Sequence, residues 1–447
     1  MTGSKLALLL AALLWPWPCQ AQEAETEYLP GTVPPRLLLR PQRLRLLQRE
    51  RQRSSIRWES FDGLVQSGAP LPEPGFALAL YYRVSGDEEA GRRAVQWALA
   101  GTGDLRQLAL VMDWCGPLLE AQQAATLASR LEEGLRKPWA GGVAETRSRA
   151  FAALALVEHQ PRLAAAELRR VVEGWWRGSV APSIRRGRPI ARTEHYALFE
   201  LMHVLRDNLD LDLREDARAY FIQLPLFRLM SYYPEPYPGG ENDYRIPVSA
   251  SAQPDLEAAM LSRATDMAMV AYEPNAQETQ FLQGWVMQDR YLMRHPFGIP
   301  YEFLWANPYH PGLTYHSLPL VYHEPNSGYL FLRSSWEDDA SWLGHFDGAV
   351  QTFEDGRPKR LEAAEPGACM TIGEARVILA GGRGRLRATA GSGPLFILGL
   401  NPRYAYDVEV DDEQLREERT DAGGILALPA GTTGGIRLRP RWPAPQR

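Results

Sequence analysis

From Pro41 to Met293 the chain repeats one local pattern: an apolar-striped run, a turn marked by Gly, Pro or a capping side chain, and a second such run. That pattern limits the first two thirds of the molecule to paired helices. Pro41 suits a first helical position and leads Leu44, Leu46 and Leu47, and Ser55 can cap a partner carrying Trp58, Phe61 and Val65. The run Phe76 to Val84 stops at Gly86, and Asp87 then caps a helix bearing Ala90, Ala94, Val95, Trp97 and Ala98. Further pairs are expected at Asp104–Cys115 with Gln122–Leu135, and at Glu145–Glu158 with Pro161–Trp175. The last two are Glu194–Asn208 with Arg214–Tyr233, and Asp255–Tyr272 with Gln277–Met293. Helix pairs without a strict repeat favour a toroid over an open repeat array.

After His295 the texture changes to short β-favourable runs: Tyr329–Leu332, Val377–Leu379, Leu395–Leu398, Tyr406–Val410 and Ile436–Leu438. Asp355-Gly356 and Asp411-Asp412 stand where hairpin loops are needed. The expected fold is therefore mainly α plus β: an N-terminal α/α toroid (an incomplete helical barrel) over residues 22–305, then a C-terminal antiparallel β-sandwich over 306–447. The Pro-marked segment from Pro296 to Pro311 reads as the connection.

Residues 1–21 carry Lys5, an apolar run Leu6–Leu14 and a small-residue end, the three parts of a secretory signal peptide. The run is too short to span a bilayer, so a soluble periplasmic or extracellular protein with no membrane span is expected. Removing it takes away one lysine and no acid, moving the net charge from −5 to −6, which excludes a nucleic-acid-coating protein. It also removes Cys19 and leaves Cys115 and Cys369, so no disulfide framework is implied. Lysine occurs only at positions 5, 137 and 359, so positive charge is almost wholly arginine.

One stretch concentrates chemistry-bearing residues. It opens on Arg185, Arg188 and Arg192, enters a helix through Glu194 and His195, and closes on Tyr237, Tyr244 and Arg245. Cations, a histidine, carboxyl groups and tyrosines thus stand at the two ends of one predicted helical hairpin.

The segments Arg36–Leu39, Ser85-Gly86-Asp87, Asp104–Ala109, Asp113-Trp114 and Gly328–Trp336 resemble the toroid and first sandwich strand of heparinase II/III-like and alginate-lyase-like polysaccharide lyases. The resemblance implies β-elimination on a uronate-containing polysaccharide, with a His and a Tyr as base and acid and a polar residue beside the His neutralising the sugar carboxylate. Mapped onto this chain, His195 matches the histidine and Tyr244 the tyrosine, with Tyr237 as the alternative. Glu194 stands where those lyases commonly carry Asn, and of their His-Gly-His-containing motif only Gly344-His345-Phe346-Asp347 is present.

Elimination requires an acid, a base and offset of the charge developing on the carboxylate. Arg185, Arg188 and Arg192 are candidates for that offset, Arg245 for lowering a tyrosine pKa from its ordinary value of about 10, and Trp176 for stacking on a sugar. Each has a plainer reading: His195 on the apolar face with Phe199 and Met202, the arginines in a solvated loop, Trp176 in toroid packing. A glycoside hydrolase using a pair among Glu194, Glu200, Glu241 and Asp243, or a non-catalytic carbohydrate-binding protein, are the alternative functions. No cofactor is called for; a structural metal near His345, in the group His310, His316, His323 and His345, is the lesser reading. The glycan and the oligomeric state are not legible.

Overall fold

The computed structural model describes residues 28–101, 104–239, 242–249, 251, 253–288, 292–361, 369–381, 385–412 and 415–441. The predicted signal peptide lies outside them, and Glu241 does too.

An inner ring of helices runs through Pro74–Ser85, Leu105–Trp114, Val143–Ala155, His195–Leu209, Leu256–Tyr272 and Gly298–Trp305, each packed on the next. These helices are apolar nearly all round, so they are stable only when covered on every side. Glu88–Leu99, Ala121–Arg136, Pro161–Arg169, Arg218–Met230 and Gln277–Met287 cover them from outside. The two ends of the ring are brought near one another where Phe303 meets Phe61 and Trp58, and Tyr301 meets Phe76. The closing helix Gly298–Trp305 lies inside the segment expected to be a connection. Pro300 falls in its first turn, where a missing N–H costs little.

The segment Arg36–Leu39 is tied to the ring helix Leu105–Trp114. Asp113 accepts the backbone N–H groups of Arg36 and Leu37, and Trp114 Nε1 donates to the Leu37 carbonyl at 2.8 Å. Burial pushes the Asp113 carboxyl up to about 6 even against those two hydrogen bonds.

The β part is a stack of three sheets. A five-stranded antiparallel meander runs Val321–Glu324, Tyr329–Arg333, Trp342–Phe346, Ala349–Glu354 and Arg357–Arg360. A middle sheet orders Leu426–Leu428, Leu395–Leu398, Ala375–Leu379 and Cys369–Ile372, and an outer one Arg385–Ala388, Gly434–Pro440, Ala405–Val410 and Arg416–Arg419. Val377, Phe396 and Leu398 pack on the meander's Leu330, Leu332 and Leu343, while Ile378, Leu395 and Ile397 pack on the outer sheet's Leu386, Val408 and Ile436. Both faces of the middle sheet are therefore buried, which is why its strands read as unbroken apolar runs. One pair in it, Leu395–Leu398 with Ala375–Leu379, is parallel in an otherwise antiparallel sandwich. Asp355-Gly356 forms the expected two-residue hairpin, with positive φ at both positions (52° and 72°).

The meander's other face packs on the toroid, where Phe331 meets Phe227 and Trp342 Nε1 donates to the Met230 carbonyl. One cavity opens at each edge of this contact.

Candidate active-site cavity

The first cavity, of about 790 Å³, lies between the toroid and the meander's edge strand Arg357–Arg360. Its toroid wall is a hairpin that follows Arg218–Met230. Tyr233 N donates to Ile246 O, Val248 N donates to Ser231 O, and Tyr237 pairs with Tyr244. Pro234, Pro236 and Pro238 each fix one φ in the outgoing arm and so hold its course. Tyr237 projects at 41% exposure, and Glu235, Thr193, Arg192 and Asp255 share the lining with Arg357 from the opposite sheet.

Arg192 forms part of the cavity floor. Its guanidinium lies over the Tyr232 ring at 4.4 Å and donates to Ser262 Oγ (3.0 Å), Ser231 Oγ and the Arg228 carbonyl, all neutral partners. Its Nε is buried without a hydrogen bond, and among the described residues no carboxylate pairs with it. Burial, then the charge of Arg228, pushes Arg192 down to about 10, so it remains cationic at neutral pH. A half-buried cation whose hydrogen-bond partners are all neutral, at a roomy cavity, is a seat for an anion.

Beneath Arg192 lies a sealed polar core. Arg228 pairs with Asp266, donates to Ser262 Oγ at 2.7 Å and contacts His195 Nδ1 at 3.1 Å, while the Tyr232 hydroxyl donates to Asp266 at 2.6 Å. His195 Nε2 faces the Ile190 carbonyl and the Tyr220 hydroxyl, at 3.1 and 3.0 Å. Burial first, then Arg228 and Arg192, hold the imidazole well below its ordinary range, so it is neutral. Arg228 donates to Nδ1, so the proton sits on Nε2.

Several expected site residues are placed elsewhere. His195 has no exposed surface and Tyr244 is 3% exposed, so neither meets the expectation of an open imidazole and hydroxyl. His195 is enclosed because Arg228, held in place by Asp266, and the rings of Tyr220 and Phe227 close over it, and the Tyr244 ring is packed against Gly239. Arg245 is drawn away to the Pro234 carbonyl, to Asp338 and over the Trp285 ring, so it serves the interface. Glu194 accepts the N–H of Val143 at 3.3 Å, capping the N-terminus of the neighbouring helix. Trp176 is fully buried and donates to Asp216, as toroid packing requires. Arg185 is tied to the Asp216 carbonyl at 2.6 Å on a second cavity, and Arg188 is exposed.

The hydrolase candidates fare similarly. Glu200 is sealed between Arg106 and Arg147, which hold it below the usual carboxylate range although burial alone would raise it. Such a carboxylate has no proton to give. Asp243 is exposed on the short strand beside Tyr244. Among the described residues no group of three or more His, Cys, Asp or Glu is arranged to hold a metal, and no helix is long and apolar enough to cross a membrane. His345 is turned to the Gly328 carbonyl at 2.8 Å, and His323 is paired with Asp421.

Arg228, Tyr232, Ser262, Asp266 and Arg357 were not singled out from the sequence. A signal existed: Arg228 interrupts an apolar helical run, and Ser262 and Asp266 are four apart on one helix face.

The buried imidazole sets a pH dependence. An unfolded His binds a proton below about pH 6.5 and the folded His195 does not, so this residue removes stability as pH falls through that value, by about 1.4 kcal/mol per pH unit. The difference in unfolding free energy between His195→Gln and the parent therefore shrinks from pH 7 to pH 5.5; urea titrations at each pH measure it. A constant difference would place an exposed, ordinary imidazole there instead, and a widening one a charged imidazole.

No protein-family model matches the chain, and no curated protein matches it. Among solved structures, a mutant of heparan sulfate lyase HepC from Pedobacter heparinus aligns over 83% of this chain and 76% of that one, at 12% identity and a TM-score of 0.39. Heparan sulfate lyase HepC itself gives 0.36 over the same shares and identity, and a glycoside hydrolase gives 0.29 at 10% identity over 83% and 72%.

Proposed function

We propose that this chain is an exported enzyme that cleaves a uronate-containing polysaccharide by β-elimination in the cavity between toroid and meander. The observation that carries the reading is Arg192, a half-buried guanidinium whose hydrogen bonds all go to neutral partners, at a cavity of about 790 Å³. A sugar carboxylate supplies the direct ionic partner that its hydrogen bonds do not, and Arg357 adds a second cation from the opposite wall. Tyr237 is the exposed proton-transfer group at that cavity. As the phenolate it takes the proton from the carbon next to the carboxylate; the electron pair forms a double bond to the adjacent carbon as the bond to the glycosidic oxygen breaks, and the phenol so formed gives its proton to that oxygen, regenerating the phenolate.

Hydrolysis needs two carboxyl groups in separate roles. Of the two on the cavity wall, Asp255 is committed to capping Leu256–Tyr272 through Ala258 N, which leaves Glu235 alone. Elimination is the better match to one exposed tyrosine, two arginines and one uncommitted carboxylate.

Digestion of a panel of uronate glycans is expected to yield products whose new double bond, conjugated to the carboxylate, absorbs in the ultraviolet. New reducing ends without absorbance would establish hydrolysis, and binding without new ends a non-catalytic carbohydrate-binding protein.

A further inference from the structure

A second cavity, of about 680 Å³, lies at the opposite edge of the meander, between strands Val321–Glu324 and Tyr329–Arg333 and the toroid segment 184–227. We infer that it binds a neutral oligosaccharide. Its wall is aromatic. Tyr329 lies stacked on Phe227 with ring centroids 5.8 Å apart, Tyr322 is tilted against Phe227 at 5.9 Å, and Tyr220 is held by its hydroxyl against His195 Nε2. The Tyr329 hydroxyl is fixed on Asp347 at 3.1 Å, so these rings are set before any ligand arrives. The Tyr322 hydroxyl makes no hydrogen bond to another described residue, which leaves a polar handle among apolar faces.

The charges around this wall cancel or are already used. Arg185 is bound to the Asp216 carbonyl, Asp216 accepts from Trp176 and Arg177, and Glu324 accepts two backbone N–H groups and the Asn326 amide. Arg218 and Glu215 on the lining offset one another in sign. Over the lining as a whole two arginines, Arg185 and Arg218, face three carboxylates, Glu215, Asp216 and Glu324, so an anion gains nothing by entering it. What it offers is flat aromatic surface with exposed amides, Gln223 and Asn326, at the rim. A pyranose presents the complementary surface, an apolar C–H face ringed by hydroxyl groups.

The choice of a sugar over another amphipathic molecule rests on the carbohydrate reading above. The two are separable because one predicts cleavage of anionic glycans and the other binding of neutral ones. A hydrogen-bonded chain, Tyr220 to His195 to Arg228 to Ser262 to Arg192, joins the two cavities through the polar core, so each wall is anchored on the same buried groups.

Calorimetric titration of the full chain with hexamers of β-1,4-linked glucose, xylose and N-acetylglucosamine tests the site. At least one is expected to bind with a dissociation constant below about 1 mM, and Tyr329→Ala to weaken it about tenfold or more. Arg357→Gln is expected to leave that affinity unchanged. Because Tyr329→Ala also removes packing, the exposed-residue variants Gln223→Ala and Asn326→Ala provide a second reading, each lowering affinity in a protein of parental stability. The site is overturned if no hexamer binds, if binding survives all three of these variants, or if it is lost with Arg357→Gln, which would move it to the first cavity. Uronate cleavage with no neutral binding would retain the first proposal and remove this one.

Discussion

Replacing Asp266 by Asn is expected to destabilise the protein by about 3–5 kcal/mol, measured as a fall in urea midpoint followed by tryptophan fluorescence. The substitution keeps the shape and removes the charge. Asp266 is the carboxylate that pairs with Arg228, and Arg228 is wholly buried beside a second cation, Arg192. Without Asp266 the two guanidinium groups repel one another, Arg228 cannot be hydrated where it lies, and the Tyr232 hydroxyl loses its carboxylate acceptor. The loss should exceed that of Glu88→Gln, whose ion pair with Arg92 is exposed and worth little. Combining Asp266→Leu with Arg228→Met should cost less than Asp266→Asn alone, because it removes both ends of the buried pair and leaves neither of them unpaired. A loss below about 1 kcal/mol for Asp266→Asn would show that the core is hydrated or that Arg228 has another counter-ion.

Replacing Tyr237 by Phe is expected to reduce turnover of a uronate glycan by about 10²- to 10⁴-fold, the range for removing a positioned proton-transfer group, with little change in substrate affinity or stability. The hydroxyl is more open than those of its neighbours: Tyr233 is held against Ser249 and Gln351, and Tyr244 is packed under Gly239. Phe keeps the ring and the pairing of strand 237–238 with 243–244, so loss of activity would report on the hydroxyl. Arg192→Gln should give the complementary result, a higher KM together with lower kcat/KM, because a bound carboxylate is held before and during the reaction. Full activity in Tyr237→Phe would transfer proton transfer to another group at the cavity, and Glu235→Gln would then be the variant to compare.

Much of the fold was legible because its causes are local. Ser55, Asp87, Asp104 and Asp255 accept backbone N–H groups at the helix starts where they stand, and Gly86 ends its helix at φ 78°. Asp355-Gly356 made its turn because both residues accept positive φ. The closing helix Gly298–Trp305 was not legible, since prolines at 296, 300 and 308 read as a linker. Its formation depends on Phe61, Trp58 and Phe76, which lie more than two hundred positions earlier in the chain.

The site divides along the same line. Residue chemistry alone marked the region from Arg185 to Arg245 as charged and aromatic, and Arg192 and Tyr237 within it do reach a cavity. Which of its members face solvent was decided by partners distant in sequence. His195 became a sealed, neutral core histidine because Arg228 and Asp266 arrive from two other helices, 33 and 71 positions away (228 − 195 and 266 − 195). Glu194 became a helix cap because Val143 presents a free N–H, and Arg245 was drawn to Asp338 in the loop between two meander strands. Periodicity and capping act over one helical turn and can be read along the chain. Desolvation and counter-ion placement depend on which elements meet in space, and only the tertiary structure decided them.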